Sequence, residues 1–362
     1  MPRPLVIVLH RAAGTETPPL SRLLVTARET LLDHQRELFL RARAERVLVV
    51  TDRAGSFGER LAALAAELPG RRGVVVMGSG AVPLLRRGDA EALVAVASGG
   101  GHRVLTNNRY SSDVAAVSDA AVLRGVPALP SDNALPRWLA ERRGYRVLEL
   151  PGRRRLGIDL DGPLDLALVR HDRRAPGALR ALAEVSGVAV PRLDELGRVL
   201  LDRRAELLVA GRTSASTLRW LERHARCRVR AVIEERGLRA ASELALAGTA
   251  PAGRAPASVL GRALASRGAR DIGALVGALA DGAVIDTRVL LAHRLGADER
   301  RWPADEDRYA SDLLRHTDVR DPWLAALTEG AASAALPILL GAHTLVGPGL
   351  PLLARAARLA TG

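Results

Sequence analysis

Short apolar runs alternate with longer amphipathic stretches through residues 1–172, and that alternation leaves the chain few folds to choose from. Leu5–Leu9 (LVIVL) is an unbroken apolar run, as a strand buried on both faces requires. Further strands are expected at 47–51, 73–77, 103–106 and 146–150. Helices are expected between them at 25–45, 58–68, 89–97, 112–123 and 132–143. Strands separated by helices need crossover connections, so this part reads as α/β, a mainly parallel sheet with helices on both faces. Ligands of such sheets sit beyond the carboxyl ends of the strands.

Charge, Pro and Gly come together in His-Asp-Arg-Arg-Ala-Pro-Gly at 171–177, which places a domain boundary there. The expected domains are therefore 1–172 and 173–362, a two-domain arrangement that suits 362 residues. The second domain reads as α/β and helix-rich. Strands are expected at 206–210, 228–233 and 283–286, and helices at 214–224 and 287–294. The stretch 238–281 reads as mostly helical with a break at 248–256, and the C-terminal part as an apolar run 335–340 and a loop 341–349.

Composition narrows the chemistry. All 53 basic residues are arginine, so a Walker A loop and lysine Schiff-base catalysis are excluded. One cysteine, Cys227, excludes a disulfide framework; its neighbours Arg226 and Arg228 are of the kind that lower a thiol pKa. No apolar run approaches the roughly 18 residues that cross a bilayer, so no membrane partner and a cytoplasmic location are expected. The net charge of +13 is spread evenly, +6 over 1–172 and +7 over 173–362, and the nine aromatic residues are scattered. An arginine-rich surface without a concentrated basic stripe argues against nucleic acid and suits an acidic or phosphorylated small molecule.

Four segments carry candidate chemistry. In Ile158-Asp159-Leu160-Asp161-Gly162-Pro163-Leu164-Asp165, Asp159 and Asp161 would point to one face of an extended strand, where a hard divalent cation would relieve their repulsion. The alternative is a helix start, with Pro163 in the first turn and Asp165 favoured there by the helix dipole. Thr106-Asn107-Asn108-Arg109 and Asp132-Asn133-Ala134-Leu135-Pro136-Arg137 hold all three asparagines of the chain, and amide side chains can read a base or a hydroxyl. Turn and cap chemistry is the competing account. Gly78-Ser79-Gly80 follows the third strand and can either present backbone N–H groups to a phosphate or simply make a tight turn. In the second domain, Leu208-Val209-Ala210-Gly211-Arg212-Thr213-Ser214, followed some two dozen residues later by Glu234-Glu235, has the layout of a nucleotide-binding βαβ without its glycine fingerprint. No histidine pair has metal spacing, and Met77-Gly78-Ser79-Gly80-Ala81 does not match the serine-hydrolase elbow.

The order of an apolar strand, a variable loop, a long helix, a strand ending Val-Thr-Asp, a Gly/Pro-Leu-Leu turn, a Thr-Asn segment and Asp-x-Asp-x-Pro-x-Asp resembles the nucleotidyltransferase superfamily over residues 4–169. It is most similar to the molybdenum-cofactor and phospholactate guanylyl- and cytidylyltransferases. The resemblance implies a nucleotidyltransferase-like fold, an NTP donor and Mg²⁺ held by Asp159 and Asp161. It places Thr106 and Asn107 on the Thr-Asn segment of the phospholactate enzymes. The chain departs from the family in two places. His10-Arg11-Ala12-Ala13-Gly14-Thr15 stands where the family has a Gly-rich loop ending in Lys, and Gly80 or Ala81 stands where it has a metal aspartate.

The expectation is thus an Mg²⁺-dependent enzyme transferring an NMP group from an NTP to a small phosphorylated acceptor, as in cofactor biosynthesis. Asp159, Asp161, Arg11 and Arg22 would be catalytic. Thr106, Asn107, Asn108, Asp132, Asn133, Arg137, Gly78 and Gly80 would bind substrate. A non-catalytic nucleotide or metabolite sensor is the alternative, with an arginine-rich nucleic-acid-binding protein behind it. A homo-oligomer is compatible with either of the first two, and the sequence assigns residues 173–362 no role.

Overall fold

The computed structural model describes residues 3–51, 55–68, 73–129, 132–152, 154–190, 192–235 and 256–360. It divides into two compact units, one of Met1–Thr15 and Val25–Leu160, the other of Glu16–Leu24 and Asp161–Gly362. The division thus falls after Leu160 rather than within the charged 171–177 segment.

The first unit is built on a six-stranded sheet in the order β2-β1-β3-β5-β4-β6. Its strands are β1 (Leu5–Leu9), β2 (Arg46–Val50), β3 (Val74–Gly78), β4 (Arg103–Thr106), β5 (Val114–Val117) and β6 (Arg146–Glu149). Pairing is parallel except at β5, which runs antiparallel between β3 and β4. Here the expected helix at 112–123 gives way to a strand and, after an Asp119 cap, a 3-10 turn at Ala120–Gly125. The reason is the surroundings: all four residues of β5 are buried between two strands, where Ala and Val fit closely and backbone pairing outweighs alanine's helix preference. β4 and β5 therefore form a hairpin whose loop, 107–113, carries Asn107 and Asn108.

Strand alternation sends the side chains of this sheet into two cores. Val6, Val8, Val75, Met77 and Leu105 meet Phe39 of α1 (Pro19–Arg41) and Leu93 of α3 (Arg87–Ser98) on one face. Leu5, Ile7, Val74, Val76 and Val104 meet Leu61 of α2 (Phe57–Glu67) and Leu139 of α4 (Leu135–Arg143) on the other. Each large aliphatic side chain so buried stabilises by about 1.5–3 kcal/mol. α2 opens with a reciprocal cap, Ser56 Oγ accepting from Glu59 N and Glu59 Oε2 from Ser56 N.

In the second unit, β7 (Glu206–Gly211), β8 (Arg228–Ile233), β9 (Gly282–Asp286) and β10 (Ile338–Gly341) form a wholly parallel sheet in the order β10-β9-β7-β8. Its helices are α5 (Pro163–Val169), α6 (Gly177–Val185), α7 (Leu193–Leu201), α8 (Ala215–His224), α9 (Val259–Arg267), α10 (Ile272–Gly277), α11 (Thr287–Leu295), α12 (Asp305–Asp312), α13 (Pro322–Ser333), α14 (His343–Val346) and α15 (Leu350–Ala360). The expected loop 341–349 thus contains the one-turn α14. Residues 238–255 of the expected helical stretch 238–281, with nearly all of its break, lie outside the described residues, and the remainder holds α9 and α10. Cys227, just before β8, is buried, and burial pushes its thiol up to about 11, so the flanking arginines do not activate it. No helix among the described residues is long and apolar enough to cross a membrane.

Candidate functional site

In the first unit, the carboxyl ends of β1, β3 and β4 lie along one sheet edge together with the start of β5, since Met77 pairs with Val114 and Thr106 with Ala115. The loop after β3 is fixed from several directions. Ser79 N donates to Leu9 O at 3.0 Å and Ala81 N to Gly78 O at 3.1 Å. Ala81 bridges Asp159, and Leu160 N donates to Gly80 O at 3.0 Å. From α1, Gln35 Nε2 donates to Ala81 O at 2.7 Å, while Arg28 Nε and Nη2 donate to Leu160 O at 3.0 and 2.7 Å. Val82 is fully buried with φ +45°, a strained conformation for a β-branched residue.

Gly80 is the point where these elements converge. A Cβ there would stand 3.0 Å from Arg28 Nε, 3.0 Å from Leu160 O and 3.2 Å from Asp159 Oδ1. A side chain there would be tight, its neighbours having to give by a few tenths of an ångström, and Asp159 and Arg28 come together over Gly80. Gly78 has open space beside it and is under no such constraint.

Next to this loop, His10 Nδ1 lies 3.0 Å from Ser79 Oγ and His10 Nε2 lies 3.5 Å from Glu29 Oε1. Carboxylate, imidazole and hydroxyl follow in the order of a general-base relay. Ser79 is only 4% exposed, however, and its hydroxyl ties the ends of β1 and β3 together. Arg28, Glu29, His10 and Ser79 all lie outside the set expected to act. The legible signal was on α1, where Arg28 and Gln35 are seven residues apart and share a face with buried Leu32.

The Thr-Asn segment does different work from the one expected. Asn107 is 1% exposed, and its amide is spent inside the hairpin. Nδ2 donates to Asp113 Oδ2 at 2.6 Å and to Leu156 O at 2.7 Å, while Oδ1 accepts from Asp113 N at 3.0 Å. Thr106 is fully buried and donates to Ser112 Oγ at 2.9 Å. Asn108 Oδ1 accepts from Tyr110 N, an Asx turn, and Asn133 Oδ1 accepts from Ser111 Oγ at 2.8 Å. Asp132 opens the 3-10 turn Asp132–Ala134; Ser131 before it lies outside the described residues. Arg137 pairs with Glu141 at 2.9 Å along α4. The turn holding Leu156 is clamped to α3 by a bidentate pair, Arg155 to Asp89 at 2.6 and 2.7 Å.

Arg11, Gly78, Gly80, Thr106, Asn107, Asn108, Asp132, Asn133, Arg137 and Asp159 thus belong to the first unit, and Arg22 and Asp161 to the second. Arg11 is exposed; Arg22 is also exposed, and its Nη2 donates to Thr17 O at 3.1 Å. Asp161 is exposed, with Oδ2 3.7 Å from His343 Nδ1. Asp165 does take the first turn of α5, accepting from Asp161 N and Gly162 N at 2.9 and 2.8 Å. Burial, and then the charges of Asp161 and Asp312, raise its pKa well above the usual carboxylate range, opposite to the effect expected from the helix dipole. Glu234 also has a local task, accepting from Val259 N at 2.6 Å.

Among the described residues no group of three or more His, Cys, Asp or Glu side chains is placed to hold a metal ion. At the β3 loop the first unit offers the carboxylate of Asp159. That donor set fits a Mg²⁺ ion shared with nucleotide phosphates and water, and does not fit an all-protein cage. Compared with known proteins, the chain matches no family model, and no curated protein matches it.

Proposed function

We propose that the first unit is a nucleotidyltransferase-like domain that moves an NMP group from an NTP to a small phosphorylated acceptor. The observation that carries this reading is the convergence of Asp159 and Arg28 on Gly80, at the end of a β3 loop whose backbone is held in a strained, fixed conformation. Asp159 would hold Mg²⁺ against the donor phosphates, and the ion would neutralise charge there. Exposed Arg11, directly after β1, would contact phosphate oxygens. The acceptor phosphate attacks the α-phosphorus, a P–O bond forms, and pyrophosphate leaves with the electron pair of the broken bond. No residue need act as a nucleophile, so the work of the site is orientation and electrostatics. Thr106 and Asn107 act here as positioning residues that fix the hairpin beside the site.

A second reading, nucleotide binding without transfer, is favoured by the commitment of Asn107's amide to protein partners. Melting curves with each of the four ribonucleotides, with and without Mg²⁺, separate the two when run beside a pyrophosphate-release assay. Transfer predicts an Mg²⁺-dependent shift, pyrophosphate release with a phosphorylated acceptor, and loss of both in Asp159→Asn. A metal-independent shift with no pyrophosphate supports the sensor. No shift with any nucleotide defeats both.

A further inference from the structure

The second unit gathers more buried charge at one sheet edge than its fold requires. β7 connects to β8 on one side, while β9 and β10 lie on the other, so the carboxyl ends of β7 and β9 flank a topological switch point, the usual ligand position in open parallel sheets. The residues there are unusual for a plain structural edge. Gly211 has φ +131°, and a Cβ on it would stand 2.3 Å from the Asp286 Cβ, so the β7 end lies directly against Asp286. Asp286 is buried and accepts from Arg212 Nε at 2.7 Å and from Arg288 N at 3.1 Å. Arg288 in turn makes a buried bidentate pair with Asp312 at 2.5 and 2.7 Å. Thr287 Oγ1 donates to Gly341 O at 3.1 Å, tying β9 to β10. Thr344, in the first turn after β10, keeps a fully buried hydroxyl without a partner among the described residues.

Burying ion pairs is no more favourable than burying apolar groups of the same shape, so two adjacent pairs at a switch point call for a reason beyond stability. Burial alone would raise the Asp286 pKa, but Arg212, then Arg288 and His343, hold it below the usual carboxylate range. Arg212 is therefore not the sole counter-charge of Asp286. It is also oriented for a second partner. Its Nε is fixed by Asp286, its side chain is 17% exposed, and its two Nη groups donate to no acceptor among the described residues. A guanidinium anchored at Nε presents the remaining N–H groups as a preorganised fork for an oxyanion. The Thr213 and Ser214 hydroxyls that follow are committed within the unit, Thr213 Oγ1 donating to Val346 O and Ser214 Oγ capping α8 through Thr217 N, so the Arg212 fork is the donor that remains in this segment.

We infer that the carboxyl edge of the second sheet is a binding site for a phosphate monoester, taken by the Arg212 fork that Asp286 holds in place. This goes beyond the nucleotide reading of the first unit and stands or falls separately.

The test is calorimetric titration of the full chain with inorganic phosphate at low ionic strength, with succinate as a carboxylate control. Changing Arg212 alone would strand a buried Asp286, so the variant is the double R212Q/D286N, which keeps a neutral pair; circular dichroism and a melting curve check its fold. The expected result is saturable phosphate binding that weakens by about ten- to a hundredfold in the folded double variant, the loss appropriate to charge-assisted hydrogen bonds. Arg300→Gln, at an exposed pair with Asp298 outside both sites, should leave the phosphate affinity unchanged. Phosphate binding that the double variant retains in full, binding lost equally in Arg300→Gln, succinate bound as tightly as phosphate, or no saturation in the wild-type chain would each overturn the inference.

Discussion

The two sheets end their strands in opposite ways. At the carboxyl edge of the first, the buried groups are mainly hydroxyls and an amide: Ser79, Thr106, Asn107 and Ser112, each satisfied by a close neighbour. At the carboxyl edge of the second they are ions: Asp286, Arg288 and Asp312, with Arg212 beside them. A neutral hydrogen-bonded edge costs little to bury and forgives single losses. An ionic edge is balanced only while every partner is present, because an orphaned charge in a low dielectric is far more costly than an orphaned hydroxyl. The difference separates an edge whose loops are fixed in shape from one whose charges are fixed in direction.

Arg288→Met offers the severest way to break this contrast. It leaves Asp312 buried without its partner and should destabilise the second unit by about 3–5 kcal/mol. Hydrogen exchange resolved by peptide should show lost protection in β9, α11 and α12, with β1 and β3 little changed. Equal loss in both units would refute the contrast. In the first unit, Asn107→Ala removes the hub of the 107–113 hairpin and should cost about 1–3 kcal/mol, read from urea unfolding and from exchange in β4 and β5. A larger loss than that of Arg288→Met would reverse the ranking of the two edges.

Acidity sharpens the comparison further. Asp165 has a raised pKa in the folded state, so above the ordinary carboxylate range the unfolded chain gives up this proton while the folded unit keeps it. Its contribution to stability therefore falls as pH rises from the usual carboxylate pKa to the raised folded value. Asp165→Asn should flatten that alkaline-side decline in second-unit stability, measured by denaturation across pH. Asp286 has the opposite sign: its contribution is present above the usual range and is lost as pH falls through its lowered pKa. The smallest expected effect is Arg43→Gly. Arg43 is exposed with φ +70° just after α1, and glycine there should stabilise by about 0.5–1 kcal/mol, seen as a modest rise in Tm.

Periodicity located most of the frame, and chemistry decided where it failed. The Leu5–Leu9 run and the 103–106 strand coincide with β1 and β4, because a continuous apolar run or a short β-branched one leaves little choice. Val114–Val117 was illegible as a strand, since Val-Ala-Ala-Val suits a helix equally until two neighbouring strands demand a partner. The start of α5 could be read from Pro163 and Asp165, but the raised pKa of Asp165 comes from its burial and from the charges of Asp161 and Asp312, the last far along the chain. Asparagine in a loop announces a polar turn. Whether its amide faces a ligand or, like Asn107, is used up by Asp113 and Leu156 depends on contacts up to 49 residues away. Arg212 and Asp286 are 74 residues apart, and no local pattern joins them.

One buried sulfur gives the molecule a built-in clock. Cys227 is the sole thiol of the chain and is shielded in the folded second unit, with its pKa lifted to about 11. A thiol held protonated and covered reacts with a maleimide only when the segment ahead of β8 opens. The rate of its modification in a native solution therefore counts openings of the second unit, without any added label or substitution. A ligand that settles on that unit would announce itself by slowing the count.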